Sequence, residues 1–382
     1  MRIAHVNFGG EQTLVTTIRA RAKATEAAGL PVDYYLINKN LDNVSEGNCY
    51  FVKERVPFGL SRLHPYAHNI FRIGSLPKYV PLDDYDYIVL RYVKLPYAGR
   101  GFYKKYGKKI ITEHHTLAGE EIRSKPTLIR RIAAALEDYL RPRFLTRTAG
   151  IIGVTGEITE YAQKGLKGIP GCVITNGVEV DSIPEYPAAE FDGKKLNLVF
   201  ASTRFFSWQG LDRLLAGLQQ YKGSVSIELV LLGLLENKEK QLIELINDDK
   251  SNVDIVCPGY VTGKEKDKAY AKANLAIASL GLFRKRMEEA CARKTREYIA
   301  GGLPFIYAYY DPDVPEKSDF AMCLSNDESP INIDAVIEFA GRMAEQPELP
   351  AVMRTFAREH LDWQVKTRQM VNFVTTGLLN EA

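Results

Sequence analysis

Residues 288–309 read EEACARKTREYIAGGLPFIYAY, a stretch in which a charged segment is followed by an apolar one. Its second half predicts a helix that ends at Gly301-Gly302, because glycine commonly follows the last turn of a helix. The apolar run 304–309 then predicts a buried strand. A helix that passes through a Gly-Gly turn into a buried strand is the unit from which parallel α/β sheets are built.

The same alternation of strand and helix extends to both ends of the chain. Before a Pro- and Gly-containing stretch at 182–195, strands are predicted near 2–8, 31–37, 85–92, 108–115, 149–155 and 172–178. A second series follows, with strands near 196–202, 226–233, 253–259, 275–281 and 304–309. We therefore predict two tandem Rossmann-like domains, 1–185 and 186–362, each a doubly wound parallel sheet, and a helix in 363–382 that packs back on the first domain.

The composition excludes several classes of protein. The five cysteines are scattered without a CxxC pair, which argues against a disulfide framework or a structural zinc site and favours a reducing compartment. The chain starts directly with a short apolar strand and has no apolar run of the ~20 residues that span a bilayer, so a cytoplasmic protein is predicted. The net charge of +3 is unevenly divided, since residues 1–150 hold 24 Lys and Arg against 14 Asp and Glu. The two halves are therefore expected to meet different partners.

Two carboxylates of the opening stretch are spaced for a long ligand. If the helix begins near Cys291, Glu289 lies in the loop before it and Glu297 nearly two turns into it, a span of about 10 Å along the axis. That span suits a nucleotide-sugar, with one carboxylate on sugar hydroxyls, the other on ribose hydroxyls and the diphosphate between them. The N–H groups at the helix start favour a diphosphate, and Lys294 with the run Arg284-Lys285-Arg286 can neutralise its charge.

The segment EACARKTREYIAGGLPFI, from Glu289 to Ile306, resembles retaining glycosyltransferase family 4, a large group of nucleotide-sugar-dependent enzymes with the GT-B fold. It has the Glu-x7-Glu layout of that family. Further segments resemble the family in the same order along almost the whole chain: GG (9–10), TEHH (112–115), GVTGEITEYAQK (153–164), ITNGVEVD (174–181), FASTRFFSWQGLDRLLAGL (200–218) and REHLDW (358–363). The resemblance implies an acceptor-binding first domain and a donor-binding second domain that face an interdomain cleft.

The resemblance also implies roles for individual residues. Glu297 is expected to hold the ribose, Glu289 the hydroxyls of the donor sugar, and Arg204 the donor phosphates. His114 or His115 matches an acceptor-side histidine. The remaining donor-site candidates are loop glycines that follow predicted strands: Gly9, Gly10 and Gly281.

One position departs from the family pattern. The family usually has a lysine directly before the glycine that follows the phosphate-binding arginine, whereas SWQG places Gln209 before Gly210 here. The second phosphate contact is therefore left open by the sequence. Lys294 or Arg284 is the predicted substitute.

Together these assignments predict an enzyme, a retaining hexosyltransferase that moves a sugar from a UDP- or GDP-sugar to an acceptor hydroxyl. No DxD-like motif lies in a suitable loop, so neither a metal nor a cofactor is expected. By family analogy the acceptor is a glycan or a lipid-linked glycan of bacterial surface polysaccharide synthesis, at the inner face of the membrane.

The region 124–147, SKPTLIRRIAAALEDYLRPRFLTR, predicts a long basic helix. It is either an ordinary amphipathic helix or a contact for anionic lipid headgroups, to which each of its cations would be attracted. Nucleic acid is not an expected partner, since the net charge is small and no recognised nucleic-acid motif is present.

Two other functions stay open at this point. A nucleotide-sugar epimerase of the same architecture would use acid/base groups around the sugar, for which Glu113 and His114 are candidates. A nucleotide-sugar-binding protein without catalysis is the other, because of the missing lysine. Release of nucleotide that depends on an acceptor separates a transferase from an epimerase, and rapid turnover of the donor excludes a non-catalytic binder.

Overall fold

The structure is a computed structural model that describes residues 1–9, 12–55, 72–95, 99–124, 127–188 and 190–378, the side chains of residues 12 and 13 excepted. The chain divides into two compact units, Met1–Thr175 with Trp363–Ala382, and Asn176–Asp362. Residues 176–185, which the sequence assigned to the first domain, belong to the second unit. Hydrogen bonds hold them there, since the Asn176 amide donates to the Cys291 carbonyl at 2.8 Å and the Val178 N–H to the Leu361 carbonyl at 2.9 Å.

The first unit is built on a sheet with the strand order β3-β4-β2-β1-β5-β6-β7-β8. Its strands are β1 (Ile3–Phe8), β2 (Val32–Asn38), β3 (Val44–Glu46), β4 (Cys49–Lys53), β5 (Tyr87–Arg91), β6 (Ile110–His114), β7 (Gly150–Gly153) and β8 (Gly171–Val173). Neighbouring strands are parallel except β3, which pairs antiparallel with β4 at the edge. The sheet is therefore mixed, where the sequence predicted a purely parallel one.

Helices cover both faces of this sheet. They are α1 (Gln12–Ala27), α2 (Arg100–Tyr106), α3 (Ala118–Arg123), α4 (Leu128–Leu145) and α5 (Gly156–Gln163). Alternate strand residues point to opposite faces, so Ile88 packs in one apolar cluster with Phe102 and Leu140, and Val89 in another with Ile18. This two-faced burial makes the strands almost continuously apolar.

The sequence predicts helix α4 over roughly Thr127–Arg147, with a kink or break at Pro142. The helix starts after Thr127, whose hydroxyl accepts the N–H of Arg130 at 3.4 Å, and it runs through Pro142 to Leu145 without a break. A threonine before the first turn is a preferred N-cap, which explains where the helix starts.

The second unit has a parallel sheet with the order β11-β10-β9-β12-β13-β14. Its strands are β9 (Lys195–Arg204), β10 (Ser226–Leu234), β11 (Val253–Gly259), β12 (Leu275–Ile277), β13 (Phe305–Tyr307) and β14 (Ala321–Cys323). Its helices are α6 (Leu211–Gln220), α7 (Asn237–Asp249), α8 (Lys264–Lys272), α9 (Arg293–Gly301), α10 (Ile333–Ala344) and α11 (Leu349–Phe356). Strands β9 and β12 lie side by side in the middle of the sheet, so their carboxyl ends and the loops that follow meet at one edge.

The last helix, α12 (Trp363–Asn372), returns to the first unit and continues as a π-helical turn, Phe373–Gly377. Met370 and Val371 lie in the same apolar cluster as Ile3, and the Arg21 guanidinium stacks on the Trp363 ring at 4.9 Å. Two distant parts of the chain thus share one core. Within the described residues, no helix is both long enough and apolar enough to cross a bilayer.

Candidate functional site

The loops after β9 and β12 are joined at the carboxyl edge of the second sheet. The Leu280 N–H donates to the Gln209 carbonyl at 2.9 Å. Gly210 has a φ of 70°, and a Cβ there would lie 2.6 Å from the backbone carbon of Leu280. A Cβ on Gly281 would in turn lie 3.2 Å from the Gly210 Cα. The position of Gly210 therefore needs glycine for the loops to approach this closely, and that of Gly281 leaves little room for a side chain.

Lys294 reaches this junction from the first turn of α9. Its Nζ donates to Oε1 of Gln209 at 3.0 Å, and the Ser279 hydroxyl donates to the same oxygen at 3.1 Å. The ammonium also lies 4.8 Å from the centre of the Phe200 ring. Burial lowers the pKa of Lys294 to about 7, and the negative charge of Glu297 opposes that shift. Among the described residues no carboxylate lies within ion-pair distance of Lys294, so its charge is held by an amide and an aromatic ring alone.

The start of α9 is open to an anion. The helix begins at Arg293, two residues later than the sequence suggested, and Ala292 at the N-cap has no side-chain acceptor for the first N–H groups. The positive end of a helix dipole favours an anionic group at such a place. Lys294 adds a positive charge to it when its amine is protonated.

Glu297 lies one turn further along α9 and is ion-paired. Its Oε2 accepts from Nζ of Lys266 at 2.7 Å, and both side chains are partly exposed. Lys266 comes from α8 and was not predicted as a site residue. Its position three residues into a helix that carries several other lysines gives no signal in the sequence.

The other predicted donor-site residues lie at the same edge of the sheet. Arg204 ends β9, and its exposed guanidinium forms an ion pair with no carboxylate of the described residues. Glu289 is partly buried in an extended segment before α9 that pairs with Tyr310. Gly281 forms the loop junction with Gly210. The structure thus gathers Arg204, Gly281 and Lys294 near the ends of two neighbouring strands.

The guanidinium of Arg284 is already hydrogen-bonded to other groups of the protein. Its guanidinium donates to both carboxylate oxygens of Asp212, at 2.8 and 2.7 Å, to Glu328 at 3.1 Å and to the Ser207 carbonyl at 2.8 Å. Hydrogen bonds to Asp212 and Glu328 raise the pKa of Arg284. Of the two candidates for the missing lysine, Arg284 has its charge neutralised within the protein, whereas Lys294 does not.

Arg296, one of the charged residues in the stretch 288–309, lies in the core of the second unit. Arg296 is fully buried and donates to Asp311 at 2.9 Å, to Asp313 at 2.5 Å and to the Asn176 carbonyl at 3.2 Å. This cluster could not be predicted from the sequence, because the two aspartates lie beyond the next strand. It anchors α9, and with it the positions of Lys294 and Glu297.

The first unit contains a separate buried network around Glu113. This carboxylate lies 3.3 Å from Arg21, 3.3 Å from Nε2 of His5 and 3.1 Å from Nε2 of His115. Burial alone would raise its pKa, but the charge of Arg21 together with His5 and His115 holds the pKa of Glu113 well below its usual range. The network is thus a permanently ionised carboxylate with three nitrogen partners.

His114 and His115 have different surroundings. His114 is buried, stacks on Tyr92 with ring centres 4.4 Å apart, and contacts the Thr112 hydroxyl at 3.0 Å. Burial lowers its pKa to about 3, with help from the charge of Arg141. His115 keeps about a fifth of its side chain exposed (22%), and burial lowers its pKa as well. Of the two, His115 is the one with a surface that a ligand can reach.

The predicted Gly-Gly turn after β1 is described only in part. Gly9 follows the strand with a φ of 158°, and a Cβ there would lie 2.5 Å from Cδ2 of Leu14. Gly10 lies outside the described residues. The role of this turn in donor binding stays a prediction.

The described residues offer no metal site of the usual kind. No three His, Cys, Asp or Glu side chains among them lie close enough together to hold a metal ion. The metal-independent reaction was predicted on other grounds, and it stays a prediction.

Because of its buried histidines, we expect the first unit to lose stability at acidic pH. Burial, with the charge of Arg21, lowers the pKa of His5 from 6.5 to about 4, and His114 shifts in the same direction. Between these values the unfolded state binds more protons than the folded state, so stability falls as the pH falls. We expect a loss of about 2 kcal/mol per histidine between roughly pH 6.5 and 5.

The two tryptophans of the chain allow this to be measured, because Trp363 belongs to the first unit and Trp208 to the second. Urea unfolding followed by fluorescence of the Trp208→Phe variant reports the first unit, and Trp363→Phe reports the second. The second unit, whose His360 is exposed, should change much less. Equal acid sensitivity of the two signals would contradict the assignment to His5 and His114.

Comparison with known proteins bears on the fold. No protein-family model matches the chain, and no curated protein matches it. The structure is similar to sucrose-phosphate synthase from Thermosynechococcus elongatus, with a TM-score of 0.67, 16% identity and 99% of each chain covered. It is also similar to Anabaena HepE in complex with UDP, with a TM-score of 0.62, 14% identity, and 98% of this chain and 100% of that one covered.

A third similar structure is that of the lipopolysaccharide outer core galactosyltransferase WaaB, with a TM-score of 0.62 and 12% identity. The match covers 99% of this chain and 100% of that one. At such low identities the likeness establishes the fold alone. The chain has the GT-B fold, with a Rossmann-like α/β unit on each of its two sheets. The fold predicted from the sequence is confirmed.

Proposed function

We propose that the protein is a retaining glycosyltransferase of family 4 that transfers a sugar from a UDP- or GDP-sugar to an acceptor hydroxyl. The observation that carries the proposal is the start of α9, where an uncapped helix end, the unpaired ammonium of Lys294 and the carboxylate of Glu297 follow one another. That sequence of groups matches a diphosphate followed by a ribose. The similarity to HepE, whose structures contain UDP and UDP-glucose, supports the same class of donor.

In this proposal the diphosphate lies at the start of α9. Lys294 and Arg204 contact its oxygens, and the first N–H groups of the helix donate to it. When the bond to the sugar breaks, the departing diphosphate gains negative charge, so these fixed groups stabilise the transition state more than the ground state. Lys294 takes the part of the lysine that SWQG lacks, and Gln209 holds it in place.

Glu297 binds the ribose in this proposal. A carboxylate offers two oxygens and several lone pairs, so it can accept from two ribose hydroxyls while Lys266 keeps one oxygen oriented. Lys266 is then a positioning residue beside the nucleoside.

Glu289 is assigned to the donor sugar, where its negative charge offsets the positive charge that develops on the anomeric carbon. We assign no separate general base, since in retaining transfer the departing phosphate can accept the acceptor's proton. The epimerase alternative is disfavoured, because Glu113, its candidate acid/base group, is buried and ion-paired to Arg21.

The acceptor is proposed to be a glycan or a lipid-linked glycan in the synthesis of a bacterial surface polysaccharide. His115 is the acceptor-side histidine in this assignment, because it is the partly exposed member of the pair and Glu113 fixes its ring. The choice of acceptor follows from the family resemblance.

The proposal is tested first by donor binding. A thermal-shift panel of nucleoside diphosphates and their sugars should show stabilisation by UDP or GDP compounds, and the stabilising sugar identifies the donor. Nucleotide release should then depend on an added acceptor and survive excess EDTA. Conversion of the donor to an isomeric nucleotide-sugar without an acceptor and without net nucleotide release would favour the epimerase, and no turnover with any acceptor would favour a binding protein.

Donor binding is expected to depend on pH through Lys294. Its pKa of about 7 in the free protein means that the ammonium loses its proton as the pH rises, while the bound diphosphate favours the protonated form. Affinity for UDP should therefore fall by about 10- to 50-fold between roughly pH 7 and 9, a range in which the phosphates stay ionised. Titration calorimetry measures this directly.

The matched control for the pH series is Lys294→Arg. A guanidinium keeps its charge throughout this range, so the variant should show a nearly constant affinity. The same slope in both proteins would assign the pH dependence to another group.

A further inference from the structure

The outer face of α4 carries a continuous apolar stripe. We call it the α4 stripe, and its residues lie at the spacing of one helix face. Their exposed fractions are large for apolar residues: Leu128 73%, Ile129 66%, Ile132 60%, Leu136 41% and Tyr139 58%. Large apolar side chains clustered this way on a surface indicate an interaction site rather than chance exposure.

The opposite face of α4 holds the helix firmly in the first unit. Its buried residues include Leu140 and Phe144, which pack in the apolar cluster under the sheet. Glu137 is buried too and accepts from the Tyr92 hydroxyl and the Leu95 N–H, both at 2.7 Å. The stripe is therefore presented by a rigid element.

The charges of α4 are sorted by face. Both of its carboxylates are engaged on the protein side, Glu137 as described and Asp138 with Arg123, Arg141 and the Tyr161 hydroxyl. The exposed charged residues on or directly after the helix are cations: Arg131, Arg143 and Arg147. The outward face thus combines apolar and positively charged groups and has no exposed carboxylate on the helix.

We propose that the α4 stripe docks the protein onto an anionic lipid bilayer, with the helix lying in the plane of the membrane surface. The aliphatic side chains would enter the boundary between headgroups and acyl chains, and the arginines would contact lipid phosphates. Tyr139, with an apolar ring and a polar hydroxyl, suits that boundary. Charge complementarity decides the occupant, because a face that is apolar and cationic at once matches an anionic bilayer in both respects.

This inference corrects one expectation from the sequence. Arg141 was counted among the residues that contact lipid, but it is buried, with its guanidinium 3.9 Å from the Tyr161 ring. It holds α4 to the rest of the unit instead. The sequence pointed to the basic residues, whereas the structure shows that the apolar residues form the larger part of the face.

The test is co-sedimentation with vesicles of phosphatidylcholine alone and of phosphatidylcholine with phosphatidylglycerol. The unchanged protein should bind the anionic vesicles at least about fivefold better than the neutral ones, since each exposed cation adds to the attraction. The triple variant Leu128→Gln, Ile132→Gln, Leu136→Gln should lose about tenfold or more of that binding. Glutamine is a good helix former, so the exposed helix should stay intact.

A matched control removes the same number of exposed apolar side chains from the second unit. Leu245→Gln, Val256→Gln and Val352→Gln change three exposed residues there, and vesicle binding should be unchanged. Unfolding midpoints of both triple variants verify that they fold. The proposal does not depend on the donor assignment, so UDP binding by the stripe variant should equal that of the unchanged protein.

Three results would overturn the proposal. One is a failure of the unchanged protein to bind either kind of vesicle. Another is a dimer in light scattering that the stripe variant abolishes, without vesicle binding, since the occupant would then be a second copy of this chain. Loss of binding in the control variant to the same extent would likewise show that the effect is not specific to α4.

Discussion

Replacing Arg296 with methionine is expected to destabilise the second unit by about 3–5 kcal/mol. Arg296 is fully buried, and it is the counter-charge of Asp311, which is itself 1% exposed. Methionine fills a similar space without a charge, so the carboxylate of Asp311 would be left in the core with no cation beside it. A buried charge that loses its partner is among the largest single-residue effects known.

The measurement is urea unfolding in the Trp363→Phe background, where Trp208 reports the second unit. Arg293→Met is the matched control, since it makes the same change one turn earlier on an exposed part of α9, and it should cost less than about 0.5 kcal/mol. Adding Asp311→Asn to Arg296→Met should recover part of the loss, because it removes the unpaired charge. Equal stability of the Arg296 and Arg293 variants would contradict the structural role of the cluster.

The second large effect is expected at Lys294. Lys294→Met should weaken UDP binding by about 2–3 kcal/mol, or roughly 30- to 150-fold in Kd, because a charge-assisted contact to the diphosphate is lost. The unfolding midpoint should stay the same or rise, since the substitution removes a desolvated ammonium whose pKa burial has lowered to about 7. Arg284→Met, which removes a cation already paired with Asp212, should change Kd by less than about threefold.

The contact between Lys294 and Gln209 allows a sharper version of this experiment. The two side chains are 3.0 Å apart, so the double variant Gln209→Lys, Lys294→Gln moves the ammonium by little more than a hydrogen bond. It also restores the lysine before Gly210 that the family pattern has. We expect UDP binding within about tenfold of the unchanged protein. A folded double variant that binds as weakly as Lys294→Met would contradict the idea that the two positions share one role.

The sequence predicted both sheets, because most of their strands are apolar and bounded by turns. It missed three strands, β3, β4 and β14; of these, Val44–Glu46 is a fully exposed edge strand with no apolar pattern. It also predicted the start of α9 to within two residues, in the segment where the resemblance to family 4 is strongest. Such local patterns carry most of the fold.

Most contacts within the site could not be predicted from the sequence. Glu113 stands out in TEHH, but its partner Arg21 lies 92 residues away, and no local pattern joins them. Gln209 was noted only as the absence of a lysine, whereas the structure shows it holding a lysine from a helix 85 residues further on. Pairings of this kind depend on tertiary packing, so only the types of residue, and not their partners, could be predicted.

The division of the first unit between the two ends of the chain has a consequence for its biosynthesis. Met370, Val371 and Val374 complete the apolar cluster around Ile3, yet the ribosome adds them after the whole second unit has been made. The first unit emerges first, but part of its core stays exposed until these residues are added. The second unit emerges later and can still finish folding before the first. In a nascent chain stopped at residue 362, we therefore expect the amino-terminal unit to be the less stable of the two.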